Sequence, residues 1–255
     1  MKITSWNVNS LKVRLEHVLD FIERHQPDVL GLQETKLTDD KFPVEAFREV
    51  GYHADYVGQP TYNGVAMLSP KPGDDLVREI PDFDDPHKRV IAGTYRGVRV
   101  INLYVVNGKA VGDEKYVWKL KWLEAVTRWI ERERQQHEQL VVIGDFNIAP
   151  DDRDVYDPDE WNDQILCSEP ERNALQGILA LGLHDSYRLF EQPEREYSWY
   201  DYRQMAFRRK RGLRIDLCLI SDALKPRCVG SAIDLEPRRL ERPSDHAPVT
   251  VELSA

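Results

Sequence analysis

Two stretches of the 255-residue chain set hard polar side chains at the edges of apolar runs. Leu140-Val141-Val142-Ile143 leads into Gly144-Asp145-Phe146-Asn147. Arg242-Pro243-Ser244-Asp245-His246-Ala247-Pro248 leads into the alternating Val249-Thr250-Val251-Glu252-Leu253. Carboxylate, amide and imidazole groups on neighbouring strand ends are the parts for metal-assisted attack of water on a phosphate ester. Comparable residues stand elsewhere. Asn7 and Asn9 follow one apolar run, Glu34 follows a second, Tyr104 lies near the end of a third, and Asp216 lies in Gly212-Leu213-Arg214-Ile215-Asp216. Taken alone, a strand-end Asp is better explained as a cap or turn residue, and a lone His as a hydrogen-bonded structural one. The set points to chemistry only if these ends share one edge, where several oxygens and one imidazole would converge.

The elements that must position these groups follow from periodicity. A strand at Lys2–Asn7 precedes a helix over Leu11–His25, where Leu11, Leu15, Val18, Leu19 and Ile22 make an apolar stripe and Ser10 is the expected N-cap. A strand at Val29–Leu32 ends at Gln33-Glu34, and short strands are expected near Tyr52–Val57, Gly64–Ser69, Val90–Tyr95 and Val98–Val105. A second amphipathic helix spans about Lys115–Gln135, with Trp118, Trp122, Val126, Trp129 and Ile130 on one face. A helix near Glu171–Leu181 and strands near Tyr197–Asp201, Leu213–Ser221, Gly230–Leu235 and Ala247–Leu253 complete the chain. Many short strands with few helices predict an α/β (α+β) sandwich, two mostly antiparallel or mixed sheets packed face to face with helices outside. A doubly wound parallel sheet is the alternative, but the middle and last thirds leave no room for crossover helices. With no linker, repeat or low-complexity tract, residues 1–255 are expected to form one domain.

Composition sets bounds. Hydrophobic residues at 41 % and charged residues at 31 % describe a globular chain with a sizeable core. No apolar run approaches a membrane span, and the N-terminus enters a strand rather than a signal peptide. Cys167, Cys218 and Cys228 lack metal or CxxC spacing and read as free thiols, so a cytoplasmic, intracellular protein is expected. A net charge of −9 argues against passive, nonspecific nucleic-acid binding. With a Debye length of about 8 Å, however, a polyanion responds to the local patch, here Arg208-Arg209-Lys210-Arg211 followed by Arg214. The acids between Asp151 and Glu160 lack EF-hand register and are expected to form a solvated loop.

Six motifs in order carry a resemblance. They are Ser5-Trp6-Asn7-Val8-Asn9, Leu32-Gln33-Glu34-Thr35-Lys36, Tyr62-Asn63-Gly64-Val65-Ala66, Gly144-Asp145-Phe146-Asn147-Ile148-Ala149-Pro150, Gly212-Leu213-Arg214-Ile215-Asp216 and Pro243-Ser244-Asp245-His246-Ala247-Pro248. From end to end the chain resembles the exonuclease III family of abasic-site endonucleases, within the endonuclease/exonuclease/phosphatase superfamily. The resemblance implies a four-layer α/β sandwich and a monomeric DNA-repair hydrolase using Mg²⁺ or Mn²⁺. It implies Glu34 as principal metal ligand, aided by Asn7, Asn9 and Asp245. Asp145 would activate or orient water, Asn147 and Tyr104 would bind the scissile phosphate, and His246, polarised by Asp216, would stabilise developing charge. Trp199, Leu213 and Ile215 match a pocket for a flipped-out baseless sugar. Arg208, Arg209, Arg211, Arg89 and Lys119 match phosphate contacts. The implied substrate is duplex DNA with abasic sites, cut on their 5′ side, or with blocked 3′ ends, with 3′-phosphodiesterase, 3′-phosphatase and 3′→5′ exonuclease action. Ser10 stands where many members have Gly, Asn9 where some have Asp, and no Pro follows Tyr104. The alternatives are an RNA exonuclease or small phosphoester phosphatase of the same superfamily, and a non-catalytic nucleic-acid-binding regulator.

Overall fold

Side-chain alternation along the central strands decides the layering. In the strand Leu140–Asp145, Val141 and Ile143 join one apolar cluster while Leu140 and Val142 join another, as the period-2 geometry of a strand requires when both faces are covered. The computed structural model describes residues 1–255. In chain order the elements are β1 (Lys2–Asn7), α1 (Leu11–His25), β2 (Val29–Gln33), α2 (Val44–Glu49), β3 (His53–Val57), β4 (Val65–Ser69), β5 (Asp74–Val77), β6 (Val90–Tyr95), β7 (Val98–Tyr104), α3 (Glu114–Gln136), β8 (Leu140–Asp145), α4 (Pro158–Trp161), α5 (Glu169–Leu179), β9 (Leu183–Asp185), β10 (Asp216–Ser221), β11 (Cys228–Ile233) and β12 (Val249–Leu253).

Two mixed six-stranded sheets result, ordered β11-β12-β1-β2-β4-β3 and β5-β6-β7-β8-β10-β9. Ile3, Val29, Met67, Val100, Val141, Ile143, Ile220 and Val251 fill the space between them. Trp6, Val18, Phe21, Ile22 and Phe47 pack α1 and α2 on the outer face of the first sheet, and Trp122, Val126, Trp129, Leu175 and Ile178 pack α3 and α5 on the second. This is the expected four-layer sandwich. Each sheet contains one parallel pair, β1 with β2 and β7 with β8, crossed over by α1 and α3 respectively. Register aligns Asn7 with Gln33, Tyr104 with Asp145, and Asp145 with Asp216. The polar strand ends therefore meet at one edge.

Two local expectations need correction. Tyr197–Asp201 is not a strand; Trp199 alone makes isolated bridges, to Leu213 and His246, while Tyr200 N–H bonds Asp245 O. Ser10 occupies the N-cap position but gives α1 no side-chain bond and sits at φ 89°, ψ 104°. Its backbone is otherwise engaged, with Ser10 N–H donating to Glu34 O (2.8 Å) and Leu11 N–H to Thr35 O (3.1 Å), tying the start of α1 to the loop after β2. Periodicity also missed β5, β9, α2 and α4, which are short and, in β5, half-exposed.

Candidate active site

Gly144 explains how Asp145 reaches the edge. At φ 151° its missing Cβ would lie 2.0 Å from Leu103 O, so only glycine lets β8 run this close to β7 before Asp145. Asp145 is buried, and its carboxylate accepts from Asn147 N–H (2.9 Å) and Asn7 Nδ2 (2.9 Å). Asp216 and His246 are buried beside it. His246 Nδ1 faces both Asp216 oxygens, at 2.9 and 3.1 Å, and its Nε2 lies 3.7 Å from Asp145 Oδ2. Burial alone would lower the His246 pKa, but the Asp216 and Asp145 carboxylates outweigh it and push it up to about 10. Burial raises Asp145 to about 7, against the opposing pull of the His246 charge.

The other half of the site surrounds Glu34. Asn7 Nδ2 also donates to Glu34 Oε1 (2.9 Å), so one amide bridges the Glu34 and Asp145 carboxylates. Lys36 Nζ lies 3.0 Å from Glu34 Oε2 and 2.6 Å from Asn9 Oδ1. Asn9 Nδ2 reaches Asp245 Oδ1 (3.0 Å), whose other oxygen accepts from Trp199 Nε1 (3.0 Å). Burial would raise the Asp245 pKa; His246, Trp199 and Asn9 together hold it below the usual carboxylate range. Glu34, Asn9 and Asn147 all adopt positive φ, 52°, 43° and 49°, a conformation rare outside glycine and often concentrated at functional sites. Tyr104 is inset, with the Arg89 guanidinium 4.7 Å above its ring. Burial and then the Glu34 carboxylate hold its hydroxyl pKa well above normal.

Two acidic groupings could take a cation. Asp145, Asp216 and His246 bring ligand atoms within 4.8 Å of one another. A protonated His246 has no free lone pair and already bridges the two carboxylates, so this trio is a proton-bearing relay. Around Glu34, two oxygens from Glu34 and Asn9 already converge on one positive charge, the Lys36 ammonium. That donor set fits a hard divalent cation. Asn7 fits less directly: its Nδ2 faces the carboxylates and its Oδ1 accepts from Asn9 N–H (2.9 Å), so it orients Glu34.

Several expected substrate contacts lie elsewhere. Lys119 is fully buried, paired with Glu171 and donating to Asn147 O (2.7 Å) and Asn107 O (3.1 Å). It cannot meet a phosphate there; it braces the Asn147 backbone. Arg214 is likewise buried, bonded to Asp154 Oδ1 (2.6 Å) and Asp185 Oδ2 (2.6 Å). Asp154 is thus an interior counter-ion rather than part of a solvated loop. Arg208, Arg209 and Arg211 are exposed, as a phosphate-facing run requires. Leu213 and Ile215 are buried with Ala149, Val155, Leu166 and Cys167, while Trp161, Ile165 and Trp199 are half-exposed, so Leu213 and Ile215 form the floor of the apolar patch and Trp199 part of its exposed rim.

Sequence reasoning missed the supports. Asn107 Nδ2 donates to Asn147 Oδ1 (3.2 Å). Buried Gln33 and Asn102 pin the two sheets together behind Glu34, through Gln33 Nε2 to Asn102 Oδ1 (2.6 Å) and Asn102 Nδ2 to Leu32 O and Ala66 O (both 3.0 Å). An asparagine in the midst of the apolar run Val98–Val105 was the available signal, because a buried amide needs partners.

The profile of the endonuclease/exonuclease/phosphatase family matches residues 4–246. The chain is similar to exodeoxyribonuclease III of Haemophilus influenzae, 37 % identical over 265 aligned residues covering 99 % of each. Among solved structures it is similar to a 3′-5′ exonuclease from Neisseria meningitidis (TM-score 0.98, 49 % identity) and to a Neisseria 3′ phosphatase bound to a product DNA hairpin (TM-score 0.98, 49 %). An AP endonuclease from Archaeoglobus fulgidus has TM-score 0.96 at 36 % identity; all three comparisons cover both chains completely. The profile's span holds every polar strand end of the cleft, and the chain therefore belongs to the endonuclease/exonuclease/phosphatase family, as an exonuclease III-like nuclease.

Proposed function

We propose that this nuclease repairs duplex DNA by hydrolysing the bond between phosphorus and O3′, releasing blocked 3′ ends, trimming 3′ nucleotides and cutting 5′ to abasic sites. The activities named for its relatives share this chemistry, since each leaves a 3′-hydroxyl. The observation that carries the reading is the buried Asp216–His246–Asp145 relay joined through Asn7 to Glu34. Asp145 orients the water and takes its proton, and a carboxylate raised towards neutral pH suits that task. The His246 imidazolium offers Nε2–H to the charge that builds on the phosphoryl oxygens. Tyr104 supplies a further hydrogen bond to the phosphate, and Asn147, whose Nδ2 donates to Val105 O (2.9 Å) and Asp145 Oδ2 (3.3 Å), joins it by turning one of these donors to the phosphate. The family is divalent-metal-dependent, and Mg²⁺ or Mn²⁺ held by Glu34, with Asn9 and Asp245 beside it, would neutralise phosphate charge. Residues from both sheets build the cleft, which supports residues 1–255 acting as one catalytic unit.

Three duplexes test the assignment: one with a 3′-phosphate, one with an internal abasic site, and one with an intact recessed 3′ end. Metal-dependent release of 3′-hydroxyl products is expected from the first two. Activity on RNA alone, or on none of the duplexes, would overturn it.

A further inference from the structure

Arg242-Pro243-Ser244, the turn that delivers Asp245 and His246, presents three successive carbonyls to two arginines. Arg14 donates through Nε to Arg242 O (3.1 Å) and through Nη2 to Pro243 O (2.9 Å). Arg238 donates through Nη1 to Ser244 O and through Nη2 to Tyr200 O (3.4 Å). Only 6 % of Arg238 is exposed, and its guanidinium bonds carbonyls rather than a carboxylate. Its positive charge is enclosed by the rings of Phe207 (5.0 Å), Tyr202 (5.8 Å) and Tyr200 (5.9 Å). Tyr202, 51 % exposed, donates its hydroxyl to Pro243 O (2.8 Å) and accepts from Arg14 (3.1 Å). Downstream, Ser244 Oγ donates to Asn7 O (2.6 Å) and accepts from His246 N–H (3.2 Å).

A buried charge whose hydrogen bonds go only to neutral carbonyls is costly, and an apolar side chain of similar volume would ordinarily be neutral or better for stability. What a guanidinium adds is direction: a planar fork that fixes two carbonyls at once while stacking on aromatic faces. We infer that Arg238 is a positioning residue for the reaction, clamping with Arg14 the turn that sets Asp245 and His246, and tying that turn to the aromatic Tyr200–Phe207 segment beside the exposed basic run. The inference rests on the hydrolytic role given above to His246.

The test compares Arg238→Met, Arg238→Lys and Tyr202→Phe, using kcat and KM on the 3′-phosphate duplex, DNA Kd in excess chelator, and the histidine side-chain NMR spectrum of the metal-free protein, assigned with His246→Ala. Small misplacements of reacting groups cost up to about 10²-fold in rate, so Arg238→Met should lower kcat by roughly 10- to 100-fold while Kd changes less than about threefold. Arg238→Lys, which keeps a charged donor for Ser244 O, should recover part of kcat, and Tyr202→Phe should lower it several-fold. The His246 ring signals should move in Arg238→Met while those of distant histidines stay. A folded Arg238→Met with wild-type kcat and unmoved His246 signals overturns the inference. If Arg238→Met does not fold, Arg238→Lys and Tyr202→Phe decide: full wild-type kcat in both overturns it. Wild-type protein inactive on every duplex would defeat the functional reading alone, and the movement of the His246 signals would still judge the clamp.

Discussion

The two parallel β–α–β units occupy equivalent places in the two sheets, yet they present their carboxylates differently. In β1-α1-β2 the chain reaches its helix across Val8–Ser10, with Asn9 and Ser10 at φ 43° and 89° and no side-chain cap. In β7-α3-β8 a longer connection, residues 105–113, ends at Asp113, whose side chain accepts from Lys115 N–H at 2.9 Å in a regular N-cap. The first unit carries Glu34 at φ 52°, its side chain 18 % exposed and facing the Lys36 ammonium. The second carries Asp145 within a strand, its side chain 2 % exposed and fixed by amides and an imidazolium. The carboxylate proposed to hold the cation sits on the more open unit, behind a helix start with two positive-φ residues. The one whose proton affinity is raised by burial sits on the closed unit, behind a regularly capped helix start.

Damage to the closed unit should cost most. On the proposed mechanism Asp145→Asn and His246→Ala remove groups that act on charge present only in the transition state, a loss typically on the order of 10²–10³ in rate. Steady-state kinetics on the 3′-phosphate duplex should show the loss in kcat, with DNA affinity in chelator nearly unchanged. A defect confined to KM would mean that these residues bind rather than catalyse. Asp216→Asn should share the His246 defect, so the double substitution should fall well short of additivity.

On the open unit, Glu34→Ala should raise the Mg²⁺ or Mn²⁺ concentration for half-maximal activity by roughly 10–100-fold, the range seen even for partners of metal ligands. Metal titration of both proteins measures this. Superimposable curves would remove Glu34 from the cation site and erase the contrast between the units.

Much of this contrast was legible before the fold was known. The six motifs marked the strand ends at Asn7, Glu34, Asp145, Asp216 and Asp245 but not the one at Tyr104, because an apolar run stopped by Asp, Glu or Asn is a local signal and one that ends in Tyr is not. What escaped depends on tertiary partners. Lys119 reads as a surface cation, since nothing near it in sequence announces Glu171 across the α3–α5 contact. Arg214 reads as part of a basic run, yet it faces Asp154 and Asp185, distant in sequence and on the interior side. Leu213 and Ile215 read as pocket walls, and only packing with Leu166 and Cys167 shows them to be the buried floor. Ser10 reads as a cap because its residue type is right, while the pull of Glu34 O and Thr35 O on the backbone is invisible in a single sequence.

A subtler effect of the closed unit is its pH dependence. The pKa of His246 is raised in the folded protein from 6.5 to about 10. A raised folded value contributes stability that is complete below pH 6.5 and is lost as pH rises through about 10. The melting-temperature gap between wild type and His246→Gln, both metal-free, should therefore narrow steadily between pH 7 and 10. A gap that stays constant over that range would mean that the imidazole is not held as its cation by Asp216 and Asp145.

The smallest effect isolates the helix starts themselves. Ser10 holds a backbone conformation that costs of order 1–3 kcal/mol for a residue with a Cβ, and its hydroxyl returns no cap bond. Glycine removes the strain at the cost of a more flexible unfolded chain, an opposing term of roughly 0.4–1 kcal/mol. Ser10→Gly should therefore stabilise by about 1 kcal/mol. Asp113 is in the reverse position: its φ of −71° is relaxed and its carboxylate satisfies a helix N–H, so Asp113→Ala should lower the melting temperature. For a chain of this size about 1 kcal/mol shifts the melting temperature by roughly 2–4 °C, within reach of calorimetry. Opposite signs at equivalent positions would confirm that the helix start before Glu34 is strained and the one before Asp145 is not. If Ser10→Gly lowered the melting temperature, the serine would be stabilising α1 by some other route, and the contrast between the two helix starts would fail.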